Sequence, residues 1–238
     1  MFGPYRAPKT KVTWCYKMSF SAQWDEVYRA GSNLSIWPWS ELVSYMHRYA
    51  KPFTAGTKVL EIGFGAGANI PFFLSIGVDY YGIEGSDSIA ARVRERYPDL
   101  KDRLITGDLI RHNYQETYDL VVDRSSMTHN DTNAIKGGLR KLSMSMKPGS
   151  KYIGIDWYSV EHSDYALGDP VDEFTRANIS EGQFAGVGKV HFSSKEHLME
   201  LFSGAGMDLI RLEHKKQKME IPDQSRILAT WNLVAIKS

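Results

Sequence analysis

One nine-residue stretch, Glu61-Ile62-Gly63-Phe64-Gly65-Ala66-Gly67-Ala68-Asn69, carries the residue types that bring a polar ligand against the backbone. It follows a short apolar run, Lys58–Ile62, and opens a helical pattern that Gly77 ends. Gly63, Gly65 and Gly67 let the chain turn tightly and let a ligand approach the peptide groups. The helix start beyond them offers free N–H groups and the positive end of a helix dipole.

Two ligands use such a loop. A dinucleotide places its pyrophosphate on the helix N-terminus. S-adenosylmethionine places its amino-acid and ribose portion there. Gly63, Gly65 and Ala68 satisfy the dinucleotide pattern G-x-G-x-x-G/A, and Glu84 follows at the distance of an acid that binds ribose hydroxyls in either case. The flanks favour the sulfonium cofactor. Glu61 stands two residues before the first glycine, where a carboxylate repels a pyrophosphate and suits an ammonium. In Thr106-Gly107-Asp108-Leu109, Asp108 can accept from an adenine amino group, with the Leu109 N–H beside it for a ring nitrogen. The Asn69 amide can assist the cofactor's carboxylate. About sixty residues precede the loop, where a dinucleotide dehydrogenase usually begins.

Taken in order, VLEIGFGAGANI (59–70), YYGIEGSD (80–87, with Glu84 and Gly85), TGDL (106–109), YDLVVDRSSMTH (118–129) and LSMSMKPGSKYIGIDW (142–157) resemble a class I S-adenosylmethionine-dependent methyltransferase, over about Trp24 to the C-terminus. Asn33-Leu34-Ser35-Ile36-Trp37-Pro38 and Asp123-Arg124…Thr128-His129 add a likeness to bacterial small-molecule methyltransferases of surface-carbohydrate or secondary metabolism. The resemblance implies a Rossmann-like sheet of seven strands with the cofactor at the carboxyl ends of the strands, where open α/β sheets generally bind ligands. It also implies a backbone contact from Asp123, which points at the reactive end of the cofactor. The segment Asp123-Arg124-Ser125-Ser126 departs from the Asn/Asp-Pro-Pro-Tyr/Phe of base methyltransferases. No Asp-Asn dipeptide of the metal-dependent catechol type occurs, so no catalytic metal is expected.

The acceptor side offers Arg124, a bidentate clamp for a carboxylate or phosphate, which a salt bridge closing the sheet end would otherwise occupy. His129 follows in the short loop after the fourth strand, and imidazole can take a proton at neutral pH. Asp123, Arg124 and His129 are therefore the catalytic candidates, with Asp156, Tyr158, His162 and His191 as weaker rivals. Trp37 is read as a lid over the sulfonium, where an aromatic face favours a cation, and Trp39 as core. The run Arg211–Lys218 reads as the solvated face of an edge strand, with lysines that block aggregation.

These residues need elements to hold them. Apolar runs at Lys58–Ile62, Tyr80–Ile83, Leu104–Ile105, Tyr118–Val122 and Lys151–Asp156 alternate with helical patterns over Ala68–Ser75, from Ser86 or Asp87 to Arg96, and from Asp131 or Thr132 to Met146. Pro148-Gly149 reads as a turn, and Ser193-Ser194-Lys195-Glu196 as a capping box for a helix ending at Gly204. Met207–Glu213 and Ile227–Ile236 lack an intervening helix and should pair antiparallel. The expected fold is α/β, a mostly parallel sheet with one antiparallel strand and helices on both faces. Residues 1–50 are expected to form an N-terminal arm and cap helices, and 51–238 the cofactor-binding domain, with 158–192 an irregular acceptor-side insertion.

Composition bounds the partners. The 238 residues carry 29 Lys+Arg against 28 Asp+Glu, which argues against a duplex-DNA binder. The single cysteine, Cys15, excludes an intrachain disulfide or a cysteine-rich metal site. No apolar run reaches the length of a membrane span, and a cytoplasmic location is expected. The expected function is methyl transfer to an oxygen, or less readily a nitrogen, of a small polar acceptor such as a sugar. The alternatives are a nicotinamide-dependent oxidoreductase and a non-catalytic S-adenosylmethionine-binding subunit.

Overall fold

The structure, a computed structural model, describes residues 22–31, 34–222 and 225–238. The expected N-terminal arm over residues 1–20, Cys15 and Asn33 lie outside the described residues. Helix α1 (Ala22–Arg29) comes first, then α2 (Ser40–Tyr45), which continues as a π-turn over Met46–Ala50. The core then alternates β1 (Lys58–Ile62), α3 (Ile70–Ser75), β2 (Asp79–Glu84), α4 (Asp87–Arg96), β3 (Leu104–Thr106), β4 (Tyr118–Arg124), α5 (Thr132–Met144) and β5 (Met146–Tyr158). Three short strands follow, β6 (Asp169–Pro170), β7 (Thr175–Ala177) and β8 (Val190–His191), then α6 (Lys195–Ser203), β9 (Met207–Lys218) and β10 (Ile227–Lys237).

The main sheet has seven strands in the order β3-β2-β1-β4-β5-β10-β9. All neighbours pair parallel except β10, which runs antiparallel to both β5 and β9. The central strands are apolar on both faces because helices cover both. Leu60, Ile62, Val121 and Tyr152 pack with α5 and α6 through Leu139, Leu142, Leu198 and Phe202. Val59, Leu120, Val122 and Ile153 pack with α2, α3 and α4 through Leu42, Phe73 and Val93. The period-two alternation of a strand sends Glu61 to this second face, beneath α3.

Parallel pairing also gathers the functional loops. Ile62 is in register with Ile83 and Asp123, Glu84 with Thr106, and Asp123 with Gly154, so every strand that carries a candidate residue ends at one edge. Ser86 caps α4 by accepting from the Ile89 N–H, and Asp131 caps α5 by accepting from the Ala134 N–H.

Four local expectations are corrected. The helix after the glycine loop starts at Ile70 rather than Ala68, since Asn69 is its N-cap and the positive φ of Gly67 (79°) keeps the preceding turn open. Helix α5 stops at Met144, and Pro148-Gly149 lies inside β5, where Gly149 at φ 81° accompanies a register shift against β4. Ser194, not Ser193, caps α6, accepting from the His197 N–H, so the Glu196 partner of a capping box is out of place. The 158–192 segment is partly regular, because β6, β7 and β8 form a small antiparallel sheet over a cluster of Tyr158, Ile179, Phe184, Val190 and Phe192.

Candidate active site

A cavity of about 560 Å³ opens at the carboxyl ends of β1, β2, β3, β4 and β5, within the size range of small-molecule sites. Glu61, Gly63, Gly65, Asn69, Glu84, Gly85, Asp108 and Leu109 line one end. Arg124, His129, Asp156, Tyr158, Gln183, Phe184, Lys215, Gln217 and Thr230 line the other.

Glu61 is buried, 2% exposed, and its two carboxylate oxygens accept from Asn69 Nδ2 at 2.7 Å and from the Tyr80 hydroxyl at 2.6 Å. Burial pushes this carboxyl up to about 7, against the pull of those two donors, with the Glu84 and Asp123 charges adding to the rise. An amide and a phenol are neutral, so the site has a place for a cation that no side chain bonded to Glu61 fills. Asn69 Oδ1 in turn accepts from the Trp39 N–H at 3.1 Å. Glu84 accepts from the Gly65 and Ser86 N–H groups, both at 2.9 Å, and burial raises its pKa as well. With the Gly85 N–H as a third donor, the carboxylate still keeps a lone pair that a sugar hydroxyl can use. Asp108 Oδ1 caps the next turn by accepting from the Ile110 N–H at 2.9 Å.

The glycines have separate reasons. At Gly63 (φ 70°) a Cβ would sit 1.8 Å from Ser126 Oγ, so this glycine lets the loop after β4 pass against the loop after β1. At Gly65 (φ 51°) a Cβ would sit 2.9 Å from the Tyr28 hydroxyl. Gly67 does not line the cavity; a Cβ there would meet Ile70 and Val93, both at 3.2 Å, so it serves close packing under the loop.

Two further placements correct the sequence reading. Asp123 is fully buried and turned away from the cavity: Oδ1 accepts from the Ser126 and Met127 N–H groups at 2.8 and 3.3 Å, and Oδ2 from the Tyr152 hydroxyl at 3.0 Å. Burial pushes it up to about 6. Its side chain builds the loop and has no path to an acceptor. Trp37 is 74% exposed and outside the cavity, whereas Trp39 lines it, so Trp39 stands where Trp37 was expected and neither indole is core. The Arg124 guanidinium lies 3.5 Å from the Trp39 ring centroid and 3.0 Å from Asp156, the salt bridge weighed against acceptor binding.

His129 lines the cavity with Nδ1 3.3 Å from the Lys189 carbonyl oxygen. A carbonyl only accepts, so Nδ1 carries the hydrogen and Nε2 keeps its lone pair. Burial lowers its pKa to about 4, which holds the ring neutral. Of the rival residues, Asp156 and Tyr158 reach the cavity, and burial pushes the Tyr158 phenol up to about 12. His162 and His191 do not reach it: His162 is bonded to Gln183 and the Asp164 N–H, and His191 lies between Thr175 and Ser193.

Sequence reasoning missed Trp24, Tyr28, Lys215 and Gln217. Lys215, read as solvated, is bonded to Glu41 and, at 3.0 Å, to Asp156. Period-two alternation puts Glu213, Lys215 and Gln217 on one face of β9, a signal in the sequence that was available. Among the described residues no group of three or more His, Cys, Asp or Glu side chains is placed to hold a metal ion, and no helix is long and apolar enough to cross a membrane.

A family model described as a methyltransferase domain matches residues 60–154, from β1 into β5. A comparison with curated proteins found no match. A solved S-adenosylmethionine-dependent methyltransferase from Methanosarcina mazei is 14% identical, with a TM-score of 0.62 over 84% of this chain and 98% of that one. One from Clostridium acetobutylicum is also 14% identical, with a TM-score of 0.60 over 90% and 96%. A glycopeptide N-methyltransferase solved with S-adenosylmethionine is 18% identical, with a TM-score of 0.57 over 84% and 93%. At such identities the structural likeness speaks for the fold, and the family match within 60–154 sets the nicotinamide alternative aside. Buried Glu61, lacking a cation, and Glu84, with a lone pair to spare, suit the ammonium and ribose of the sulfonium cofactor. Residues 60–154 of this chain thus match a methyltransferase domain, set in a seven-stranded fold shared with solved S-adenosylmethionine-dependent methyltransferases.

Proposed function

We propose that the chain transfers a methyl group to an oxygen of a small polar acceptor, a sugar or surface-carbohydrate precursor, with His129 as the base. One observation carries this reading. A neutral imidazole with a free Nε2 lone pair shares a cavity with the carboxylates Glu61, Glu84 and Asp108. The cofactor, when bound, supplies a methyl group on a sulfonium centre already activated for displacement. The chain's own task is to align, desolvate and deprotonate. Glu61 takes the ammonium, Glu84 the ribose and Asp108 the adenine end, and Gly63, Gly65, Gly85, Leu109 and Asn69 complete that wall. Tyr158 and Phe184 exclude water from the acceptor end. Arg124, pinned on Trp39 by Asp156, directs its remaining N–H groups at acceptor oxygens.

As the new C–O bond forms, the hydroxyl proton passes to His129 Nε2. A hydroxyl oxygen that is gaining a methyl group becomes strongly acidic, so a base with a pKa of about 4 is sufficient. A nitrogen acceptor is the second reading, favoured by the similarity to a glycopeptide N-methyltransferase. The test is methyl transfer from labelled S-adenosylmethionine to a panel of sugars and matched amino sugars, with products assigned by NMR. O-methyl sugars are expected; exclusive N-methyl products would sink the oxygen reading.

A further inference from the structure

We propose that Tyr28 is a cofactor-binding residue, and that Asp25 holds the helix carrying it over the cofactor. Tyr28 lines the cavity from α1, above the glycine loop. Its hydroxyl lies where a Cβ on Gly65 would be 2.9 Å away, and the Gly65 N–H is itself engaged by Glu84. Burial, and then the nearby Glu84 charge, raise this phenol far above its ordinary range, so it stays a neutral donor. Yet the O–H has no hydrogen-bond acceptor among the described residues. Tyr28 is partly exposed in the cavity, so this donor is available there to a bound molecule. The cavity that Tyr28 lines also holds the groups that fit the cofactor, which brings acceptor oxygens of its own. Its carboxylate is the stronger of these for a neutral donor.

The helix is held in place for this. Asp25 Oδ1 accepts from Ser86 Oγ at 2.5 Å, from Ser88 Oγ at 2.7 Å and from the Ser88 N–H at 3.4 Å. These residues open α4, so the carboxylate also meets the positive end of that helix. One turn before Tyr28, Trp24 packs edge-on against His129, with ring centroids 4.9 Å apart. The same helix therefore touches both ends of the cavity.

The inference rests on the cofactor assignment, and S-adenosylhomocysteine is the probe. Calorimetry on the full chain should show Tyr28→Phe weakening its binding roughly tenfold, the scale of one hydrogen bond in a desolvated site. Asp25→Ala should weaken it at least as much, and adding Tyr28→Phe to Asp25→Ala should cost little more, because an undocked helix no longer delivers the phenol. The probe should shield the wild-type chain from trypsin at Arg29 and fail to shield Asp25→Ala. Tyr28→Phe binding as tightly as the wild type, or additive losses in the double variant, overturns the proposal while leaving the cofactor assignment intact. A wild-type chain that takes up no probe overturns both.

Discussion

Replacing Glu61 with glutamine separates the cost of a buried carboxylate from its use. In the cofactor-free chain the carboxyl is 2% exposed and rises from its ordinary 4.5 to about 7. A carboxyl raised on folding makes the folded chain bind more protons than the unfolded chain between those two values, so stability falls as pH rises from about 4.5 to about 7. The ionised form then costs ~3 kcal/mol at pH 8 and under ~1 kcal/mol at pH 5. Glu61→Gln removes the charge and keeps the size, and its amide can still pair with Tyr80 and Asn69. The variant without cofactor should therefore melt several degrees above the wild type at pH 8 and nearly with it at pH 5. Cofactor binding should move the opposite way. An ammonium against Glu61 draws off its proton, so S-adenosylhomocysteine binding to the wild type near pH 6 should release close to one proton, measured by calorimetry in buffers of different ionisation heat. Glu61→Gln should release none and bind at least tenfold more weakly at pH 8. A variant less stable than the wild type at pH 8, or with unchanged affinity and proton release, refutes the reasoning that this carboxylate is held without a cation in order to receive one.

Three other outcomes are expected. His129→Ala should lower turnover about 10²-fold or more and leave S-adenosylhomocysteine affinity nearly unchanged, since the ring touches the acceptor end; equal turnover removes it as the base. Asp123→Ala should destabilise the fold by ~3 kcal/mol in denaturant unfolding, because it strips the partner from the Ser126 N–H and the Tyr152 hydroxyl. Asp131→Ala should cost ~1 kcal/mol by loss of the α5 cap, and a value near zero would show that Thr132 or water replaces it.

What the sequence made legible was local. The glycine loop, Glu84 and Asp108 each sit where a strand hands over to a turn or helix within a few residues, so type and spacing place them. His129 follows the same logic after β4. Residues that arrive by tertiary packing were harder. Trp24 and Tyr28 reach the cavity because α1 folds back on α4, through contacts between residues about sixty positions apart in the chain. Lys215 and Gln217 reach it because β9 and β10 form a long pair extending past the sheet edge, beyond the Glu213 end expected for β9. Asp123 was misread because a strand-end aspartate followed by Ser126 and Met127 can fold back on their N–H groups, a turn signature indistinguishable from an outward-facing acid without the backbone. Trp37 and Trp39 are two residues apart, and only the entry angle of α2 decides which faces inward.

The two ends of the cavity are pre-organised by different means. At the cofactor end glycines take the positive φ values, where they carry little steric penalty. At the acceptor end the positive φ values fall on Ser125 and Asp156, both at 57°, where an L side chain costs ~1–2 kcal/mol each. These residues stand on adjacent strand ends and are locked together: Ser125 Oγ donates to the Asp156 carbonyl at 2.8 Å, and the Asp156 N–H donates to Asn232 at 3.0 Å. The lock aims the Asp156 carboxylate between Arg124 and Lys215, each 3.0 Å away, and Lys215 continues to Glu41 on α2. Two cations and two carboxylates thus cancel within the acceptor wall, and the strain fixes that cancellation in place. A wall so balanced presents directional donors and acceptors without a net field, which suits hydroxyl groups better than a phosphate or an ammonium. Under the proposed function, the strained backbone is then what sets acceptor choice, with His129 as the base beside it.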